Sequence, residues 1–397
     1  MQSEFFRTNR QKSIASSEHD LIILAANTQV QRHNDMAYGF SQESNFWYLT
    51  GIDQADWWVV IEKDVTSLIA PDIDEVHRIF DGTLLNDDAQ KISGADRVLS
   101  HKEGQDLLKS LTERYKTVAT LGDDPRKEHY GFVLNLGPVE MHTKLSSLFE
   151  SVVDCRKDLA RLRAVKQPEE IDAIRRAIKL TNEAFEKIKN DITKYGYEYE
   201  VEAEFTHYFR YSGSKGHAYD PIVAAGKNAC TLHYVNNQSK LRDNELILID
   251  IGASVDGYAA DITRTYSLGN PTDRQKQVHA AVEVAHLKII NLLKPGLGVH
   301  EYHEEVDVIM KAALSSLDLL KTDKDYRRYF PHAVSHGLGI DVHDSLGGPD
   351  VFKAGMVLTI EPGIYIPEEG IGVRIEDDIL ITETGHENLS RSLSTSL

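Results

Sequence analysis

A chain of 397 residues, 41% hydrophobic and 27% charged, has the length for two domains and the composition of an ordinary globular protein. Its formal net charge of −18 excludes the basic footprint that nucleic-acid phosphates demand. No run approaches the ~18 apolar residues of a membrane span, and the first ten residues lack an apolar signal core, so neither membrane nor secretion is expected. The only cysteines, Cys155 and Cys230, fit a reducing cytoplasm better than a disulfide scaffold, with a pairing or redox role left open.

Residues 1–157 alternate helix and strand and are expected to form a smaller α/β domain. Runs 21–25 and 57–61 have the unbroken apolar character of buried strands, and 103–115 the period of an amphipathic helix. Residues 158–397 form the second expected domain, opened by Lys166-Gln167-Pro168-Glu169-Glu170, where proline and acids suit a helix's first turn. An apolar stripe from Ile171 to about Ile192 completes that helix. A second runs from Glu198 through Phe209 and a third over 272–293, stopped by Pro295-Gly296. Strands rich in Ile, Leu and Val lie between and after them, so an α+β class is expected, with helices outside a curved antiparallel sheet.

Those strands carry acids. Asp250 ends Glu-Leu-Ile-Leu-Ile-Asp, and Asp261 lies eleven residues on, across an Asp256-Gly257 turn signal. A turn centred between Val255 and Asp256 sets Asp250 opposite Asp261; a two-residue Asp256-Gly257 loop makes them diagonal neighbours. Either register leaves both on one face, because strand side chains alternate. Glu361 and Glu376 repeat the pattern, facing one another if the turn is centred between Glu368 and Glu369. Facing acids roughly 4.5–5.5 Å apart repel. Two solvated hairpins would escape that cost, but the apolar flanks argue for burial, and buried acids require a partner. With His336 added, the set suits one or two hard or borderline cations. Arg374 shares the face of Glu376 as an ion-pair partner or a substrate contact, and Tyr365 shares the face of Glu361. Gly337-Leu338-Gly339 and Gly347-Gly348 lack the Lys and Ser/Thr of a phosphate loop, so close backbone approach beside the metals is the expected reason for them.

The order Asp250, Asp261, His336, Glu361, Glu376, each in its own context, resembles the "pita-bread" metallopeptidases. The segment ending at His233 and Tyr234, and the tail Gly-Ile-Gly-Val-Arg-Ile-Glu-Asp-Asp, resemble the proline-specific branch. Phe5-Phe6 with Arg10, Arg32-His33-Asn34-Asp35 and Ser44-Asn45-Phe46-Trp47-Tyr48 resemble the amino-terminal domain of aminopeptidase P. The resemblance implies a carboxy-terminal pita-bread domain and two divalent ions per subunit, Mn²⁺ first, then Co²⁺, Fe²⁺ or Zn²⁺. It assigns Asp250, Asp261, His336, Glu361 and Glu376 as metal ligands. It further implies that Glu361 shuttles a proton, that His343 polarises the scissile carbonyl and that His233 lies near the departing proline nitrogen. His332 and Tyr365 would line the proline pocket, with Arg374 orienting a ligand or meeting substrate. Peptides with proline second are the implied partners, and homodimers or homotetramers the implied assembly.

Xaa-Pro aminopeptidase is the reading that follows. A dipeptidase (prolidase) is the alternative, because the loop between Glu361 and Glu376 is short and the stretch after His343 lacks an arginine that some aminopeptidase P members carry. A creatine-type amidinohydrolase would not keep all five ligands. A metal-free binding protein on the same scaffold is the alternative from another class, and retention of every ligand argues against it.

Overall fold

Leu21–Ala25 is a strand buried along its whole length, at the centre of a six-stranded sheet ordered Arg97–Leu99, Thr66–Ile69, Trp58–Glu62, Leu21–Ala25, Thr117–Thr120, Ser151–Asp154. The computed structural model describes residues 1–17, 19–122, 124 and 126–397. Its chain divides into two units, Met1–Leu162 and Arg163–Leu397. In the first, Leu108 and Leu111 of helix His101–Arg114 and Met141 and Leu145 of helix Leu136–Leu148 pack on the sheet. These helices cover the face of Leu21, Ile23, Ala25 and Val60, and Ile22, Leu24 and Val59 on the other face are buried too, so the strands read as unbroken apolar runs. Helix Ser3–Ser16 sets Phe5 and Phe6 edge-on to Tyr48 and Trp47. Its buried Arg10 donates to the carbonyls of Leu49, Ser93 and Gly94, at the ends of helices Ser44–Thr50 and Asn86–Ser93. A cation there satisfies orphan carbonyls and complements two helix dipoles.

The chain passes from the first unit to the second between Leu162 and Arg163, within helix Arg156–Ala164. In the second unit, helix Pro168–Asp191 opens with proline and a Gln167/Glu170 capping box and buries Ile174, Ile178, Phe185 and Ile188. Helix Asp273–Ile290 is capped by Thr272, and with Val299–Ser316 it covers an apolar core that includes Leu358, Ile360, Val373 and Ile379.

Two bent antiparallel ribbons lie inside this cover. In the first, Glu245–Asp250 pairs with Thr263–Leu268, and Asp250 faces Thr263. Val255 faces Tyr258 across the two-residue loop Asp256-Gly257, both residues at positive φ. This is the register that makes Asp250 and Asp261 diagonal; Asp and Gly tolerate the left-handed turn at little cost. The ribbon folds sharply at Gly252, where a Cβ would come within 1.7 Å of the Ala260 carbonyl. In the second ribbon, Gly363–Ile366 pairs with Ile371–Arg374 around Pro367-Glu368-Glu369-Gly370. The same register resumes beyond a break, with Ile360 facing Asp377, so Glu361 and Glu376 stand opposite.

Candidate metal centre

Asp261, Glu361 and Glu376 sit where strand ladders are interrupted, and Asp250 is the last residue of its strand. The Glu376 amide donates to the Thr263 carbonyl, joining the two ribbons there. His336 is brought in by Thr359, whose amide donates to the His336 carbonyl at 2.9 Å. Asp261, His336 and Glu376 offer ligand atoms that all lie within 4.8 Å of one another. His336 Nε2 is 3.5 Å from Asp261 Oδ2 and 3.5 Å from Glu361 Oε1. Its Nδ1 donates to the Gly337 carbonyl at 3.0 Å, which leaves the Nε2 lone pair facing the acids.

Burial and mutual repulsion make the cluster hold protons tightly. Burial, then Glu376, Asp250 and Asp378, holds the Asp261 carboxyl well above its ordinary range. Burial and Glu376 do the same to Glu361. Burial and Asp250 push Glu376 up to about 8. His336 is pushed down to about 4 by burial and by His343, whose ring lies 4.2 Å away. Carboxyls that resist ionisation beside a neutral imidazole form the donor set that a divalent cation would relieve.

Around the acids runs a chain of hydrogen bonds. Arg374 donates from Nη2 to Asp250 Oδ2 at 2.5 Å, from Nη1 to the Tyr365 hydroxyl at 2.8 Å and from Nε to Thr263 Oγ1 at 3.2 Å. Tyr365 in turn donates to His332 Nε2 at 2.9 Å, because His332 Nδ1 is committed to the Ala333 carbonyl. Thr263 Oγ1 donates to Glu376 at 2.6 Å. The Tyr219 hydroxyl stands 2.6 Å from both Asp250 Oδ1 and Asp261 Oδ1. Its single proton serves one contact, so the other calls for a proton on an acid, in keeping with the raised Asp261 carboxyl. Beside His343, Arg163 bridges Asp341 and Asp344 at 2.6 and 2.9 Å, and buried Lys166 reaches Asp344 at 3.3 Å.

Residues 172–383 match metallopeptidase family M24, and residues 6–119 match the aminopeptidase P N-terminal domain. The chain belongs to metallopeptidase family M24. The Xaa-Pro aminopeptidase of Escherichia coli is 36% identical over 94% of this chain and 90% of its own length. The solved structure of E. coli aminopeptidase P in a low-pH form covers 100% of this chain and 96% of its own, with a TM-score of 0.86 at 32% identity. Proline aminopeptidase P II from Yersinia pestis covers 100% and 98%, with a TM-score of 0.85 at 32% identity. The α+β pita-bread class expected from the sequence is the class found, and as an M24 metallopeptidase the chain uses divalent metal ions.

The structure brings Asp250, Asp261, His336, Glu361 and Glu376 together, with His332 Nδ1 3.5 Å from Glu361 Oε2. His332 is pushed down to about 3 by burial and Arg374, so this contact joins two neutral groups rather than an ion pair. His233 is exposed on the irregular segment 231–238, near enough to His332 and His343 to disfavour their charged forms. Arg374 pairs with Asp250 across the ribbons, not with Glu376 on its own strand. The Gly339 position serves a different close approach from the one expected, since a Cβ there would meet Asp344 Oδ2 at 2.0 Å. Sequence reasoning missed Tyr219, Thr263 and Asp378, whose Oδ2 accepts from the Asp261 amide at 3.1 Å. Thr263 and Asp378 carried a signal, since each follows one of the acids, Asp261 or Glu376, by two and so shares its face. Both cysteines are free; Cys155 is buried, which pushes its thiol up and leaves it inert, and Cys230 Sγ donates to the Ile371 carbonyl. No helix among the described residues is long and apolar enough to cross a membrane.

The raised acids predict how stability depends on pH. Glu376 releases its proton near 4.5 when unfolded and near 8 when folded, so the metal-free fold binds the extra proton between those values. Its stability should therefore fall as pH rises from about 4.5 to about 8. A divalent cation takes the deprotonated acids and should cancel the trend. Thermal melting across that range, with chelator and with Mn²⁺, checks this; a flat metal-free profile would contradict the burial of the acids.

Proposed function

We propose that this protein hydrolyses the bond between an amino-terminal residue and a following proline, using two divalent ions held by Asp250, Asp261, His336, Glu361 and Glu376, with Mn²⁺ the first choice. The observation that carries it is the convergence of four acids and one properly tautomerised imidazole in a site that resists their ionisation. The E. coli protein that matches nearly the whole chain is named Xaa-Pro aminopeptidase. When bound, the ions supply the positive charge that polarises the scissile carbonyl and acidifies the attacking water.

The chain's own residues do the rest. Glu361, whose proton affinity burial raises, takes the water's proton and returns it to the proline nitrogen. His343, beside His336, donates a hydrogen bond to the oxygen on which negative charge develops. His332 and Tyr365, locked to each other, form one wall of the proline site, and His233 meets substrate from segment 231–238. Proline has no amide hydrogen and a fixed φ, so such a bond needs a dedicated site.

Arg374 favours an aminopeptidase over a dipeptidase. A dipeptidase must read the free carboxylate of its substrate with a basic group. Three of the five Arg374 N–H groups already donate within the protein, its charge is met by Asp250, and His332 is neutral across the physiological range. The Mn²⁺-loaded protein should therefore release alanine from Ala-Pro-Pro-Ala with kcat/KM at least equal to that for Ala-Pro. Cleavage confined to Ala-Pro would make the enzyme a prolidase. No cleavage together with no stoichiometric metal would make it a binding protein. Homodimeric or homotetrameric assembly belongs to the same proposal and is read by the mass in solution.

A further inference from the structure

Glu198 is the first residue of helix Glu198–Tyr211 and is fully buried, yet lies outside the acid cluster. Its Oε1 accepts from the Ala225 amide at 2.8 Å and from Asn228 Nδ2 at 2.9 Å. Its Oε2 accepts from the Tyr234 hydroxyl at 2.9 Å and the Ser239 amide at 2.8 Å. None of these donors is a cation. A buried carboxylate is costly unless its lone pairs are filled, and here one segment, 225–239, fills four of them. One helical turn on, Glu202 accepts from Asn237 Nδ2 at 2.8 Å. Asn237 is buried in a left-handed conformation and also ties the Pro221 carbonyl and the Val223 amide. Two acids one turn apart thus fasten both ends of the stretch that carries His233.

What lies on that stretch gives the fastening its consequence. Residues 231–238 have no regular secondary structure of their own to hold them. Cys230, Leu232 and Tyr234 pack on the cluster of Ile222, Ala224, Leu248 and Tyr365. Tyr234 is therefore held at one end by Glu198 and packed at the other against the group that contains Tyr365. Glu198 and that wall are thus joined through the one segment that carries His233.

We propose that Glu198 is a positioning residue for peptide binding, holding His233 and Tyr234 against the proline side of the site. This rests on the reading that His233 meets substrate. The test is Glu198→Gln, which keeps the shape but turns an NH₂ toward two donors. Amide hydrogen exchange of 225–239 should speed up by about tenfold, and KM for Ala-Pro-Pro-Ala should rise by about tenfold, the worth of one or two charge-assisted hydrogen bonds. The kcat value, the metal content and the protection of helix Asp273–Ile290 should hold, since Glu198 touches none of the five acid-cluster residues. Tyr234→Phe removes one of the four donors and should shift KM the same way by less, which keeps the test decisive if the glutamine variant folds poorly. Unchanged exchange and KM would overturn the proposal, and so would protection lost throughout the unit, which would make Glu198 a residue of the fold alone. Faster exchange with unchanged KM would also overturn it; His233→Ala, measured alongside, then shows whether the substrate reading of His233 failed as well.

Discussion

Glu376→Gln should abolish peptide hydrolysis while leaving the metal-free protein more stable than its parent at and above neutral pH. Glu376 is opposed by Glu361 across the ribbon and by Asp250 across the site, at 2% exposure. Glutamine keeps the shape and removes the charge. Below about pH 4.5 the parent acid is protonated folded and unfolded alike, so the variant gains nothing. The gain should grow as pH rises toward about 8, where the parent alone must ionise a buried acid. Asp250→Asn should silence the enzyme equally but bring no such gain in stability, because it leaves buried Arg374 without its charge partner. Losing a catalytic metal costs several kcal/mol of barrier, at about 1.4 kcal/mol per tenfold in rate. Turnover in either variant above about a tenth of the parent's would remove that residue from the ligand set. Peptide assays with metal analysis, beside melting with chelator, read both halves.

How much of this was legible in sequence depended on whether the signal was local. Leu21–Ala25 and the helices from Pro168, Glu198 and Thr272 announce themselves through continuous burial, proline and capping boxes, all local chemistry. Helix Val299–Ser316 did not, because its apolar stripe of Tyr302, Val306, Met310 and Leu314 is narrow and sits among charged residues. The second ribbon's register followed from symmetry about Glu368-Glu369, since an even hairpin with a plain turn leaves little else. The first had two solutions. The left-handed Asp256-Gly257 loop is the one the fold takes, and Gly252 admits the close approach of the Ala260 carbonyl that goes with it, a contact no local pattern encodes.

The site divides the same way. Acids ending apolar strands are visible because they break a local rule. Tyr219 breaks none; it precedes Pro221 in an unremarked loop, and only the folded chain sets its hydroxyl between Asp250 and Asp261. Arg374 was visible, but parity along one strand pointed to Glu376. The partner it takes, Asp250, stands on the other ribbon, and the ribbons' relative placement follows from the Glu376–Thr263 junction. Periodicity orders side chains within an element and is silent about which element lies across from it.

That cross-ribbon pair gives the second large effect. Arg374→Met keeps the volume and removes the cation, so stripped of metal the variant buries Asp250 without its charge partner and leaves Tyr365 and Thr263 short of a donor. Breaking one side of a buried pair costs about 3–5 kcal/mol. The melting temperature should fall steeply in chelator. With Mn²⁺ the gap should narrow, because a cation on Asp250 restores the missing charge, while the lost Tyr365 contact remains. The residue of the defect should then appear in the enzyme assay, as a raised KM from a proline wall that Arg374 no longer braces. Arg374→Lys should recover part of the stripped stability, since its point charge can meet Asp250 but cannot also reach Tyr365 and Thr263. Equal melting gaps with and without metal would show that the cation and Arg374 do not compensate the same acid, and Asp250 would lose its place as a ligand.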